Sequence, residues 1–491
     1  MYSFFEQRRA GVLLHVTSLP GEGDWGRFDH HARRFVDWMQ EAGFSIWQVL
    51  PLGPTHGDRS PYLSLSVFAG NPDLITLTAL NEDSGLKDSW LVELFRGQSE
   101  YRRDALVAAL EATGKRHSFQ ALPDAGEFLQ RNQDWLQDYA QFMTLRFDQQ
   151  QRPWWEWPLE LRQRDRKPVR EVLNRYTDYY RAIVIEQYLF ERQWQALKRY
   201  ANARKISLFG DMPLYVSHDS ADVWANRELF TVDAEGHPTA IAGVPPDLFS
   251  ATGQLWGNPV YQWDAMEASE FSWWVGRVKR QMALFDLLRI DHFRALQAYW
   301  RIPAGAETAA AGVWVEAPGD ALLERLRAKL GGLPLVAEDL GYITAEVHQL
   351  REKYHIPGMK VLQFAFDGSS DNPHLPEFYP IESVAYAGTH DNDTVLAWFD
   401  ALPADAQGYI RSVLGIGPED SALDAMIETL LGSDAGLTVL TMQDILALGA
   451  GNRMNTPATA TDNWHWRFRW EQLDPATTLR YHLLLEASDR I

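Results

Sequence analysis

A (β/α)8 barrel carrying large helical and loop insertions is the α/β fold that this sequence predicts, on three observations. Eight short apolar, β-prone runs recur, at residues 11–16, 45–52, 206–215, 285–291, 334–338, 359–366, 384–389 and 436–440. Helix-patterned stretches lie between most of them, and alternating strand and helix gives a parallel sheet with helices outside. Three of the runs stop on an acid: LLRIDHF (287–293) at Asp291, LPLVAEDLG (333–341) at Glu338 and SVAYAGTHDND (383–393) at Asp391. A carboxylate at the end of a buried strand is disfavoured unless something there uses it. Barrel enzymes draw their catalytic groups from the ends of several strands. A doubly wound sheet is the alternative, but no glycine-rich phosphate turn follows any run.

The elements follow in order. After the first run, residues 28–42 carry an amphipathic helical pattern leading to the second. The next connection, 54–204, is far too long for a simple βα unit. Its pattern is helical, rich in Trp, Gln and Arg, and includes the amphipathic stretch 176–200. We expect a mainly helical insertion after strand 2. A second insertion, 216–284, follows strand 3 and begins with a stretch, 217–263, that shows no clear period; DLFSATGQLWGNP (247–259) lies in it. Long irregular loops at a barrel face are usually binding loops or lids. Helical patterns at 321–330 and 344–354 flank the fifth run, and a third irregular stretch, 449–464, follows the last. The whole chain, 1–491, reads as one catalytic barrel domain.

Composition narrows the function. The net charge is −20 and 46% of residues are hydrophobic. An acidic surface repels phosphate backbones, so nucleic acid is not an expected partner. The absence of cysteine excludes disulfides, thiol catalysis and cysteine-held metal. No charged-then-apolar leader pattern and no membrane-length apolar run is evident, so a cytoplasmic protein without membrane partners is expected. Of 20 tryptophans, several fall in polar, glycine-rich stretches: Trp25, Trp224, Trp256, Trp464 and Trp466. Exposed aromatic faces hold the apolar faces of sugars, while polar groups read the hydroxyls.

The acids suggest chemistry. Strand period two puts Arg289 and Asp291 on one face, where the guanidinium would lower the Asp291 pKa and keep it ionised as a nucleophile. A structural ion pair at the barrel rim is the competing reading. Glu338 follows an apolar run beside other acids, and burial and like charge both raise a carboxyl pKa, as a general acid needs. Asp339 is the rival for that role. Asp391 suits a group that steadies positive charge or holds hydroxyls, with His390 as a donor. A metal site from His390, Asp391, Asp393 and Asp291 is a further alternative. Two carboxyls with aromatic platforms form the arrangement of glycosidases.

These motifs, with SPY (60–62), FAGNP (68–72), GDMPLYV (210–216), SATGQLWGNPVY (250–261), GMKVLQFAF (358–366) and NWHWR (463–467), resemble the 4-α-glucanotransferases of amylomaltase type, glycoside hydrolase family 77, nearly end to end. The resemblance implies that Asp291 is the nucleophile, Glu338 the general acid/base and Asp391 the transition-state stabiliser. It implies substrate contacts from Arg289, His390, Asp211, Tyr62, Trp256, Asn463 and Trp464. It also implies retaining transfer of a 1,4-α-glucan segment to the 4-hydroxyl of glucose or another glucan, with no cofactor and no metal. An α-glucan hydrolase of the same clan shares the three acids and stays the alternative. Two departures from the family pattern are Leu248, where Tyr is usual, and His465, where Arg is usual; the segment around 57–59 also differs.

Overall fold

The computed structural model describes residues 3–96, 98, 100–113, 118–246, 250–459 and 461–491. In chain order its strands are β1 (Arg9–Leu13), β2 (Ile46–Gln48), β3 (Ser207–Met212), β4 (Ala240–Val244), β5 (Gln254–Pro259), β6 (Leu287–Ile290), β7 (Ala298–Pro303), β8 (Val313–Glu316), β9 (Leu335–Ala337), β10 (Gly358–Val361), β11 (Ser383–Tyr386) and β12 (Leu437–Thr441). Eight form one sheet in the order β10-β11-β12-β1-β2-β3-β6-β9, every pairing parallel. Each of the eight expected runs overlaps one of these strands, and the (β/α)8 expectation holds.

The ring closes between β9 and β10. The Ala337 N–H donates to the Pro357 carbonyl at 2.8 Å. Next to it, the Met359 N–H donates to Asp339 Oδ1 at 2.7 Å, and Arg351 meets the other oxygen at 3.3 Å. The Asp339 carboxylate therefore completes the seam. Gly358 is required there, because a Cβ would stand 2.4 Å from Asp339 Oδ2.

The two faces of each strand separate as period two demands. Leu13, Ile46, Phe209, Leu287, Val336, Met359, Val384 and Leu437 point inward and form one buried cluster with Phe5. Leu208, Leu288, Ile290, Leu335 and Ala385 point outward into a larger core shared with the helices. Toward the C-terminal end the inward positions turn polar: Gln48, Asp211 and Arg289 are buried, and the Tyr386 hydroxyl donates to Gln48 Oε1 at 3.0 Å.

The helix Thr177–Asn202 brings the chain from the long β2–β3 connection back to β3. Its buried face carries glutamines as well as apolar residues. Gln187 pairs with both backbone groups of Gly70, accepting at 2.7 Å and donating at 2.9 Å; Gln193 pairs in the same way with Thr76, at 2.9 and 2.8 Å. Asp222 accepts from the Val67 N–H at 3.0 Å, and Arg280 donates to the Phe68 carbonyl at 3.1 Å. A loop without a sheet partner must satisfy its backbone in some other way. These side chains do so and hold the segment that carries Tyr62.

The stretch 217–263 departs from the expected irregular loop. Its β4 and β5 pair antiparallel with each other, and β7 and β8, beyond β6, extend them to a four-stranded sheet in the order β5-β4-β7-β8. The sequence hides this sheet, because β5 reads QLWGNP, with Gly257 at φ 78° and a terminal proline, and shows no clean alternation. Among the described residues no helix is long and apolar enough to cross a membrane.

Candidate active site

The polar end of the barrel gathers side chains from five strands or their ends, β3, β6, β9, β10 and β11, and from two loops. Arg289, on β6 and 4% exposed, is the hub. Its Nη1 donates to both oxygens of Asp211 on β3, at 2.8 and 2.7 Å, and its Nη2 donates to Asp291 Oδ1 at 2.8 Å. Its Nε lies 3.4 Å from the sulfur of Met359 on β10. One guanidinium thus fixes two carboxylates, one from each terminal nitrogen.

Tyr62 closes the far side of Asp211. Its hydroxyl lies 2.7 Å from Asp211 Oδ2 and 2.8 Å from His390 Nε2. The single phenolic proton goes to the carboxylate, so His390 Nε2 must carry the hydrogen that Tyr62 accepts. The same nitrogen lies 3.4 Å from Asp391 Oδ2. The Tyr62 and His390 rings stack at 5.3 Å, and Trp464 packs on both, 5.8 Å from Tyr62 and 6.2 Å from His390.

Glu338, just past β9, is held differently. Its Oε2 accepts the His292 N–H at 2.7 Å and its Oε1 accepts the Leu340 N–H at 3.0 Å. The His292 backbone is left-handed, φ 54°, where the chain turns beyond Asp291. Burial pushes the Glu338 pKa up to about 7, with Asp291 adding to the rise, while Arg289 and the two N–H groups pull the other way.

For Asp291 the structure corrects the expected direction. Arg289 does touch it and does favour ionisation, but burial outweighs the pair, and Asp211 and Asp391 add like charge. Its pKa is pushed up to about 6. The guanidinium is shared with Asp211, which weakens its hold on either acid.

Asp391 is fixed by two residues that no motif singled out. Asn455 Nδ2 donates to Asp391 Oδ1 at 2.6 Å, and Arg453 donates to its carbonyl. Both come from the stretch after β12, where only the approach of a distant loop, and no local pattern, marks them.

Three comparisons with known proteins bear on this geometry. The profile of glycoside hydrolase family 77, described as 4-alpha-glucanotransferase, matches residues 14–473. The chain belongs to the 4-alpha-glucanotransferase family. It is 43% identical to the 4-alpha-glucanotransferase of Thermus thermophilus, covering 99% of each chain, and 42% identical to that of Synechocystis, covering 96% and 95%. Among solved structures, the amylomaltase of Streptococcus agalactiae in complex with acarbose superimposes with a TM-score of 0.91 at 36% identity, covering 99% of this chain and 100% of the other. The enzyme is a 4-alpha-glucanotransferase, and the hydrolase reading is not favoured.

The remaining sequence candidates fall in different places. In this transferase Trp256, on β5, meets the His292 ring edge to face, 4.8 Å between centroids, and so stands next to the backbone that holds Glu338. Asn463 turns to its own loop: its Oδ1 accepts the Thr456 N–H at 2.8 Å and its Nδ2 donates to the Thr459 carbonyl at 3.0 Å. Trp224 is fully buried, its Nε1 donating to the Leu161 carbonyl at 3.1 Å, so the expectation of an exposed sugar platform fails there. His465 accepts a hydrogen bond from Arg59 at 3.1 Å, which joins two of the three places where the sequence is expected to depart from the family pattern. Leu248 lies outside the described residues. The four residues of the metal alternative do not assemble. Among the described residues the His/acid group whose ligand atoms lie within 4.8 Å of one another is Asp29, His30 and His31, away from this site.

Proposed function

We propose that the transferase works by retaining double displacement, with Asp291 as nucleophile, Glu338 as general acid and then base, and Asp391 as the group that steadies the charged transition state. The observation that carries this reading is the contrast between two acids at neighbouring strand ends. Asp291 rests on the Arg289 guanidinium, which favours its charged form; Glu338 rests on two backbone N–H groups, and burial raises its pKa so that it can carry a proton near neutrality. A glycosidic bond placed between them receives a proton from Glu338 while Asp291 attacks the anomeric carbon. The reducing end of the donor leaves. The 4-hydroxyl of glucose, or of another α-1,4-glucan, then gives its proton to Glu338 and attacks the covalent glycosyl-enzyme, and two inversions leave the α-configuration unchanged.

Arg289, Asp211, Tyr62 and His390 form a connected polar floor suited to holding the hydroxyls of the reacting sugar. Trp256 and Trp464 offer aromatic surface beside it. The transfer remakes the type of bond it breaks, so its direction is set by which hydroxyl reaches the intermediate first. We assign the exclusion of water to the segment 250–259 and the chain around Trp464. Asp291→Asn keeps the shape and removes the nucleophile. Disproportionation of maltotriose should fall on the order of 10⁴-fold or more, with maltotriose binding retained. A variant that keeps a tenth of the rate contradicts the assignment.

A further inference from the structure

Beyond Trp256 the antiparallel sheet presents a second aromatic surface. Trp314, on the edge strand β8, is 38% exposed, and Tyr342, four residues past Glu338, is 74% exposed. The Arg294 guanidinium lies between them, 3.7 Å from the Trp314 ring centroid and 5.9 Å from that of Tyr342. Arg294 is 6% exposed, yet its Nε and Nη1 have no hydrogen-bond partner. Buried donors without partners are rare and call for a reason. Trp300 braces Trp314 edge to face at 5.1 Å and is itself fixed by a 2.8 Å bond from its Nε1 to the Ala309 carbonyl. Trp314 is therefore a fixed ring with surface open to water.

The position ties this surface to the reaction site. The short segment after Asp291 supports both edges of the sheet: His292 meets Trp256 on β5, and Arg294 meets Trp314 on β8. Three strand spacings separate β5 from β8, about 14 Å. A single sugar cannot bridge that gap, whereas a chain of several can.

We propose that Trp314 and Tyr342, seated on Arg294, form an outer binding platform for the α-1,4-glucan chain, distinct from the groups that hold the reacting sugar. The proposal rests on the α-glucan reading of the cleft. Aromatic faces pack on the apolar faces of glucose units, and the Arg294 guanidinium under the Trp314 ring holds that face in place. The platform adds affinity for long chains and leaves short ones untouched.

The test is calorimetric titration of maltotriose and maltoheptaose into Asp291→Asn protein, alone and combined with Tyr342→Ala or Trp314→Ala. Tyr342 is so exposed that its removal spares the fold. The expected result is a loss of about three- to tenfold in maltoheptaose affinity, with maltotriose affinity unchanged. Unchanged maltoheptaose affinity in the Tyr342→Ala protein overturns the platform. So does an equal loss for both sugars, which would place Tyr342 in the cleft. If Asp291→Asn protein binds neither sugar, the cleft reading and the platform fall together.

Discussion

Asp291 and Glu338 are chemically similar acids, and their partners make them different. Arg289 touches Asp291 directly, while Glu338 is held by two backbone N–H groups and feels the Arg289 charge without a hydrogen bond to it. Both pKa values lie above the ordinary carboxyl range because burial opposes charge. In the proposed mechanism Asp291 works ionised and Glu338 protonated, so activity should rise as pH passes about 6 and fall as it passes about 7. A profile of kcat/KM against pH for maltotriose checks this, and a flat profile from pH 5 to 9 would contradict it. Stability carries the opposite signature. The folded pKa of Glu338 is raised, so its ionisation destabilises the fold as pH climbs from the ordinary value through about 7. Glu338→Gln should therefore raise Tm at pH 8 and bring no gain at pH 4, measured by thermal unfolding at both.

At the scale of elements, the seam between β9 and β10 separates two adjacent acids. Glu338 continues the inward face of β9, while Asp339 turns to the Met359 N–H and Arg351. Asp339→Ala should lower stability by about 1–3 kcal/mol and change kcat only a few-fold, whereas Glu338→Gln should remove most of the rate on maltotriose. An Asp339→Ala protein as inactive as Glu338→Gln would reverse the two roles; unfolding curves and initial rates on the same samples decide it. The eight barrel strands were legible in the sequence because each is a short apolar run buried on both faces. The sheet β5-β4-β7-β8 was not, because its strands come from two separate connections and β5 lacks alternation. Residues 289 and 291 were legible as a pair by period two. Their electrostatics were not, since the third member, Asp211, comes from β3 and reaches Arg289 only in the fold. The roles of Asn455 and Arg453 depend on the same kind of distant approach. Trp224 shows the limit of composition: a polar neighbourhood in sequence gave no sign that its ring lies in the core.

For the molecule as a whole, the barrel converts distance along the chain into proximity. Tyr62, Asp211, Asp291, Glu338, His390 and Asn455 are spread over most of the sequence, yet one hydrogen-bonded set runs from Arg289 through Asp211 and Tyr62 to His390. The insertions shape the rest: buried glutamines of the helix Thr177–Asn202 hold the segment behind Tyr62, and the antiparallel sheet sets Trp256 against His292. If that wall keeps water from the intermediate, Trp256→Ala should raise the ratio of hydrolysis to transfer several-fold. New reducing ends counted against the oligosaccharide ladder from maltotriose give that ratio, and an unchanged value would remove Trp256 from the role. The central claim, a covalent sugar on Asp291, is open to direct observation. Glu338→Gln protein mixed with α-maltotriosyl fluoride, whose leaving group needs no proton, should form the glycosyl-enzyme and then stall for want of a base. Mass spectrometry of the acid-quenched, digested protein should find a maltotriosyl unit on the peptide containing Asp291; an adduct on any other peptide, or fluoride release with inversion and no adduct, would contradict the account.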